Sequence, residues 1–269
     1  MEVEQLRKRK GLSRDQVEQA TGINKATLYR IETAQARPQM RTFVALLDAY
    51  DVTGEHREGL INTLKATRVT GEEGWLQVQE NLPGQYATYI GFESEAIRIC
   101  DYESSFVPGL LQTEAYARTV ISAGRLELSA SEVEDRVSAR MARQRSRPSH
   151  QLVSAVIDEA VLCRRVGPPE IMQEQLQRLL DESEKPSVSL QVIPFDVGVH
   201  PGMQGAFAIL QFDPTVSDIV YIEAITADLF LDGESEVRRY NEIFDRLQGL
   251  AVSPEATRDR LAQALTDLK

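Results

Sequence analysis

The stretch TGINKATLYRIETAQARP, residues 21–38, sets Lys25, Ala26, Tyr29 and Arg30 outside the apolar pair Leu28 and Ile31 at helical spacing. Side chains of these kinds read base edges in a major groove: Lys or Arg pairs with guanine O6 and N7, and an alanine methyl meets the thymine methyl. Asn24 and Thr27 fall where groups that clamp the DNA backbone belong, and Arg14, Arg37 and Arg41 flank the face as cations able to neutralise phosphates. The chemistry expected here is groove readout of DNA.

A second group of polar residues lies far downstream. Asp158 and Glu159 close a strand-like run next to Arg164 and Arg165, and His200 sits in the loop-like GVHPGMQG. A loop histidine after a strand suits a general base or a ligand contact. With Gln112 of PGLLQT, these residues are the candidate ligand or partner site. The plainer alternative is a helix whose start carries acids and whose end carries arginines, beside a loop histidine satisfied by a hydrogen bond. GVHPGMQG lacks the Lys-Ser/Thr of a phosphate-binding loop and is not a dinucleotide fingerprint, so no cofactor is expected. His56, His150 and His200 are the only histidines, and with Cys100 and Cys163 they show no metal-ligand spacing. The two cysteines read as small buried apolar residues in a reducing compartment. No catalytic residue is assigned, and an enzyme is not the expected class.

The elements that must position these residues emerge from periodicity. Residues 1–68 read as five short helices. The basic run Arg7–Lys10 stops at Gly11, and Ser13 caps a helix over about 14–20 with Val17 inward. Gly22 permits a sharp turn, a third helix spans about 24–33, and Pro38 precedes a fourth carrying Phe43, Val44, Leu46 and Leu47. A fifth, about 55–67, carries Leu60, Ile61 and Leu64. Helix, glycine turn and second helix form a helix-turn-helix. Residues 69–85 hold three glycines and a proline without periodicity and read as a linker, with Trp75 docking it onto the second domain. Residues 86–269 mix helices with strands: a helix near Ile90 and a strand through Ile97, Ile99 and Tyr102, then a helix from Pro108 to Gly124 and another carrying Val133, Val137 and Met141. The strand HQLVSAVID, the amphipathic helix PPEIMQEQLQRLLDESEK and the strands VSLQVIPF, GAFAILQF and DIVYIEA come next, the last two as a hairpin around DPTVS. Helices over about 234–249 and 254–268 close the chain. The fold class expected is an N-terminal all-α five-helix helix-turn-helix domain plus a C-terminal α+β domain.

Charge sharpens the division. The formal net charge of −11 conceals +3 over residues 1–70, from 12 Lys/Arg against 9 Asp/Glu, and −14 over the rest, from 18 against 32. A mildly basic head suits DNA, while an acidic body keeps off non-specific phosphate or, in a sharper reading, competes with DNA for the head. No apolar run of spanning length or leader-like segment is present, so a cytoplasmic location without membrane contact is expected.

With these residues in view, LSRDQVEQATGINKATLYRIETAQARP resembles the lambda-repressor-like helix-turn-helix, also called the xenobiotic-response-element type. Leu12, Ser13, Gly22, Ile23, Arg30, Ile31, Glu32 and Pro38 carry the likeness, while Glu18 and Ala34 depart from the small apolar residue and the glycine usual there. The body resembles the C-terminal domain of WhiJ-like actinobacterial regulators in VPGLLQTEAYART, in RQ at 143–144, in VIDEAVLCRRVG and QLQRLL, in VSLQVIPFDVGVHPGMQGAFAILQF and in VYIEA. The resemblance implies a dimeric cytoplasmic transcription factor of development or secondary metabolism. Its partners would be a double-stranded DNA operator, a second copy in a homodimer, and a small-molecule effector or a small acidic partner protein. An antitoxin-like interaction module and an enzyme with a vestigial DNA-binding head are the competing classes.

Overall fold

The structure, a computed structural model, describes residues 2–32, 38, 40–66, 84–124, 128–213, 217–224 and 228–268, with the side chains of 2, 41, 55, 62–66, 84, 85 and 87 left out. The chain divides into two compact units, residues 1–73 and 74–269. Trp75, Ala34 and the DPTVS turn at 214–216 lie outside the described residues.

The first unit is helical: α1 (Glu2–Arg9), α2 (Arg14–Thr21), α3 (Lys25–Glu32), α4 (Met40–Ala49) and α5 (Gly54–Ala66). Local chemistry punctuates it. Ser13 starts α2 with a capping box: its hydroxyl accepts from the Gln16 N–H at 3.2 Å, and the Gln16 side chain accepts from the Ser13 N–H at 2.8 Å. Gly22 ends α2 at φ 71°, a conformation an L side chain resists, and its N–H reaches the Glu18 carbonyl at 2.8 Å. Each helix donates one stripe to a common core of Leu6, Val17, Leu28, Ile31, Phe43, Leu46, Leu47, Tyr50 and Val52, with Leu60 and Ile61 packed against it.

The second unit is α+β. It contains α6 (Gly84–Glu95), β1 (Arg98–Glu103), α7 (Glu114–Gly124), α8 (Ala130–Arg145), β2 (Leu152–Asp158), α9 (Ala160–Cys163), α10 (Pro169–Ser183) and β3 (Val188–Ile193). Then come β4 (Phe207–Gln211), β5 (Ile219–Ile222), β6 (Leu229–Leu231), α11 (Glu234–Leu250) and α12 (Pro254–Asp267). The six strands form one sheet in the order β3-β2-β1-β4-β5-β6, parallel among β1, β2 and β3 and antiparallel from β1 outward through β4, β5 and β6. Helical crossovers join the parallel strands, as parallel pairing requires. Pro108 opens a single 3-10 turn at Gly109–Leu111, and α7 begins only at Glu114, so the helix expected from Pro108 onward is shorter at its start. β6, a three-residue strand, has no counterpart in the periodicity because so short a run has no measurable alternation.

The two sheet faces have separate cores. Ile99, Val153, Ala155, Ile157, Leu190, Val192 and Leu210 meet helical residues that include Ile90, Tyr116, Leu176, Leu179 and Leu261. On the other side Cys100, Tyr102, Val156, Ile193, Phe207, Ile209 and Val220 meet Phe244 and Leu247 of α11. Among the described residues no helix is long and apolar enough to cross a membrane.

Candidate functional site

In the first unit, the α2–turn–α3 segment places the expected DNA-facing residues unequally. Thr21 locks the turn, donating to the Val17 carbonyl at 2.7 Å and accepting from the Ile23 N–H at 3.2 Å. Asn24 starts α3 by accepting from the Ala26 N–H at 2.7 Å, so the side chain expected to clamp DNA also caps the helix. Lys25 and Tyr29 are exposed, one helical turn apart, and Ala26 and Thr27 are half-buried beside them. Lys25 pairs with Asp15 of α2, and the Arg14 guanidinium lies 5.0 Å above the Tyr29 ring. The contact with Asp15 raises the Lys25 pKa, which keeps the ammonium charged.

Arg30 corrects the expectation. It is 3% exposed, so it does not belong to the outward face with Lys25 and Tyr29. Helical periodicity assigns one covered side per helix. Arg30 stands about 200° around α3 from Leu28, so further chain covers α3 there. Arg37 and the side chain of Arg41 lie outside the described residues.

The head's strongest polar feature is one that base-reading logic passes over. Glu32, 1% exposed, accepts from Arg7 Nε at 2.5 Å and Nη2 at 3.1 Å and from Arg14 Nε at 2.9 Å. One carboxylate thereby ties α1, α2 and α3 together. Arg14, expected at the phosphates, is half-committed to this bridge, with its side chain 34% exposed. Burial raises the Tyr50 phenol to about 12, with the Glu32 carboxylate adding to the rise.

In the second unit the expected site residues separate into two groups. Asp158 and His200 do meet: Asp158 Oδ2 lies 3.2 Å from His200 Nε2, and its Oδ1 accepts from the Ala160 N–H at 2.8 Å. Glu159 accepts from the Phe195 N–H at 2.7 Å and from Arg260 at 2.7 Å. Together these acids pin the loop between β3 and β4 to the carboxyl end of β2. The His200 side chain is 4% exposed, and its Nδ1 has no hydrogen-bond partner among the described residues. The imidazole is held as in an acid–histidine dyad, but shut away from solvent. Arg164 and Arg165 point into solvent and leave the acids to Arg260; α9 is a single turn, and its cap at Arg164 is extended, which carries both arginines away.

Gln112 belongs elsewhere. It is 3% exposed, donates to the Val107 carbonyl at 2.7 Å and accepts from Arg140 at 2.7 Å. Its own carbonyl and that of Gly109 accept from Gln144, while Gln175 bonds the Thr113 N–H and the Leu111 carbonyl. The PGLLQT, RQ and QLQRLL segments, far apart in sequence, thus knot around one turn. A Cβ at Gly109 would stand 2.9 Å from Arg143 Nη2, so the guanidinium needs a bare backbone there.

Beside that knot lies a charged cluster in which only Arg143, of the RQ pair, belongs to a quoted motif, and no motif marks its acids. Arg143 pairs with Glu93 at 2.7 Å, donates to the Tyr86 hydroxyl at 3.0 Å and sits 5.3 Å from the Tyr89 ring centroid. Tyr89 donates to Glu93 at 2.8 Å. Asp101 and Glu103 of β1 face the same side. Burial raises the Asp101 pKa to about 7, with Glu93 adding and Arg143 opposing; burial and the Asp101 charge push Glu103 well above the carboxylate range. The available signal was strict two-residue alternation through RICDYE, which groups Ile99 with Asp101 and Glu103 and sets Cys100 and Tyr102 on the other face. Grouping Ile97 and Ile99 with Tyr102 broke that period, and Ile97 is 46% exposed.

The first unit is thus a helix-turn-helix bundle and the second an α+β domain built on a mixed sheet. Residues 1–60 match a helix-turn-helix domain family. Residues 86–263 match the domain of unknown function DUF5753, and the chain belongs to that family. No curated protein and no solved structure gives a significant match.

Proposed function

We propose that the protein is a sequence-specific DNA-binding transcriptional regulator. The observation that carries this is the capped α2–Gly22–α3 segment, which buries Val17, Leu28 and Ile31 and leaves Lys25 and Tyr29 outward. In this reading Lys25, Ala26 and Tyr29 meet base edges, while Asn24, Thr27, Arg14 and the arginines at 37 and 41 hold the phosphates. Two copies would read half-sites roughly 34 Å apart, one helical turn of DNA. The chain acts as a regulator rather than an enzyme in the cytoplasm, and the resemblance to xenobiotic-response-element and WhiJ-like proteins supports that class. The test is selection of bound fragments from genomic DNA, followed by binding of the recovered sequence to wild type and to Lys25→Ala.

The second unit is assigned the sensing and pairing roles. The loop pinned by Asp158 and Glu159 supports an interaction surface. Within nine residues it displays Phe195, Val199 and Met203 at 59%, 92% and 65% exposure. Several large apolar side chains held open on an anchored loop suit contact with another protein, a second copy in this reading. Val199→Asp with Met203→Asp should turn a dimer into a monomer in light scattering; an unchanged mass removes this loop from the pairing role.

A further inference from the structure

The two outward side chains of α3 are each met by the first turn of α2. Arg14, anchored on Glu32 at 2.9 Å, lies 5.0 Å from the Tyr29 ring centroid, while its neighbour Asp15 pairs with the Lys25 ammonium. Consecutive helical residues stand about 100° apart, so one turn of α2 offers a cation to one base-reading candidate and an anion to the other. The side chains of Lys25 and Asp15 are 54% and 63% exposed, which leaves their pair open to an approaching duplex. Glu18, one turn further along α2, is half-buried, and its charge adds to that of Asp15 at Lys25.

An acid in the first turn of a helix ordinarily offsets the N-terminal dipole. That role needs no partner on α3, and it does not account for a carboxylate set on the lysine that opens α3. The ammonium and the two carboxylates together leave net negative charge here, in a head that is basic over its first 70 residues. A DNA phosphate, itself an anion, is repelled at such a place. A guanine edge is not, because O6 and N7 are neutral acceptors. An ammonium has three donors, so Lys25 can keep Asp15 and still donate to both atoms of one guanine. The pairing also holds a flexible four-carbon stem in one direction.

We propose that Asp15 is a positioning residue for base recognition: it aims the Lys25 ammonium at a neutral base edge and withholds it from phosphate. Asp15 thereby sets the preference for the operator over other DNA more than it sets affinity. The inference rests on the regulator reading above and deepens it. Its consequence has the opposite sign to the loss of a DNA contact, since removing this carboxylate tightens binding to the wrong sequences.

The test is anisotropy binding of the full chain to a duplex recovered from genomic DNA and to a scrambled duplex of equal length, over a series of salt concentrations. Asp15→Asn keeps the shape and loses the charge. It should tighten binding to the scrambled duplex about fivefold near 0.1 M salt and steepen the log–log salt slope by about 0.9, the share of one phosphate. Binding to the recovered duplex should change by less than about twofold, so the preference falls. Asp15→Glu should restore most of the preference. On a Lys25→Ala background, Asp15→Asn should leave the preference where Lys25→Ala alone puts it, because the effect passes through the ammonium. Thermal melting checks each fold, and Asp15→Ser replaces Asp15→Asn should that variant fail to fold. An unchanged or increased preference in the folded variant, even with a lower melting temperature, leaves only the dipole role and overturns the proposal. An equal fall on the Lys25→Ala background, or no rescue by Asp15→Glu, overturns it too. A wild type that prefers no recovered duplex overturns the regulator reading and this inference together, whereas a preference that Asp15→Asn leaves intact overturns this inference alone.

Discussion

Replacing Glu32 by alanine removes one carboxylate and strands two guanidinium groups. Arg7 is 8% exposed and gives Glu32 two hydrogen bonds, at 2.5 and 3.1 Å. Removing one partner of a buried pair costs about 3–5 kcal/mol, chiefly because the remaining charge is left desolvated. Arg14 is a third exposed, so its share is screened and adds roughly 1 kcal/mol at most. A unit of this size has a total stability of roughly 3–10 kcal/mol, and the substitution therefore removes much of it. Glu32→Gln keeps the shape and loses the charge, and should fall between alanine and wild type. The assay is hydrogen exchange followed by mass spectrometry on the full chain, reading peptides from α1, α2 and α3. A loss of about 3–4 kcal/mol speeds exchange there by roughly a few hundredfold. Lys25→Ala, which removes only an exposed pair with Asp15, is the control and should leave protection unchanged. If Glu32→Ala exchanged no faster than wild type, the bridge would hold nothing together and the reasoning would fail.

Other substitutions divide by the same logic. Lys25→Ala and Tyr29→Ala should each relax base preference by about 1–3 kcal/mol without altering stability, whereas Arg30→Ala, at a side chain 3% exposed, should lower the head's melting temperature; competition binding and thermal melts separate the two. Asp101 has a folded pKa raised from 3.8 to about 7, among Tyr86, Tyr89 and Glu93 of α6, Arg140 and Arg143 of α8, Glu103 of β1, and Tyr221 and Glu223 near β5. The folded state therefore holds its proton more tightly, a stabilisation fully present below about pH 4 and lost as pH rises through about 7; Asp101→Asn should raise stability at pH 8 by roughly 2–4 kcal/mol in urea unfolding and flatten that slope. Gly202→Ala would put a Cβ 2.3 Å from Tyr102 Cζ and should destabilise the second unit by about 1–3 kcal/mol in urea unfolding; a Tyr102→Ala background should absorb most of the loss.

The head was legible because its signals are local. Ser13, Gly22, Leu28 and Ile31 act within a few residues of themselves, and the structure uses each as its type suggests. Arg30 was misplaced because what buries it is not the periodicity of its own helix. Glu32 was read as part of a pattern, since its partner Arg7 lies 25 residues away and nothing local announces the pairing. In the second unit most strands were visible as β-branched runs, and the short gap between GAFAILQF and DIVYIEA foretold that those two pair, yet no spacing in the chain tells how the other strands pair. That register alone brings Ala155 and Ala208 to the flanks of Asp101. Asp158 and His200 were singled out separately and do come together; Arg164 and Arg165 were grouped with them by proximity in sequence, which a one-turn helix undoes.

The central claim is that α3 reads DNA through its Lys25–Tyr29 side. The most direct measurement is competition binding of the full chain to a sequence recovered from genomic DNA against a scrambled duplex of equal length, at fixed salt. The comparison uses wild type, Lys25→Ala and Arg14→Ala. The account predicts wild-type preference for the recovered sequence, a preference reduced about tenfold or more by Lys25→Ala. For Arg14→Ala it predicts weaker binding to both duplexes alike and a shallower salt dependence. A Lys25→Ala protein that folds and keeps the full preference would contradict it.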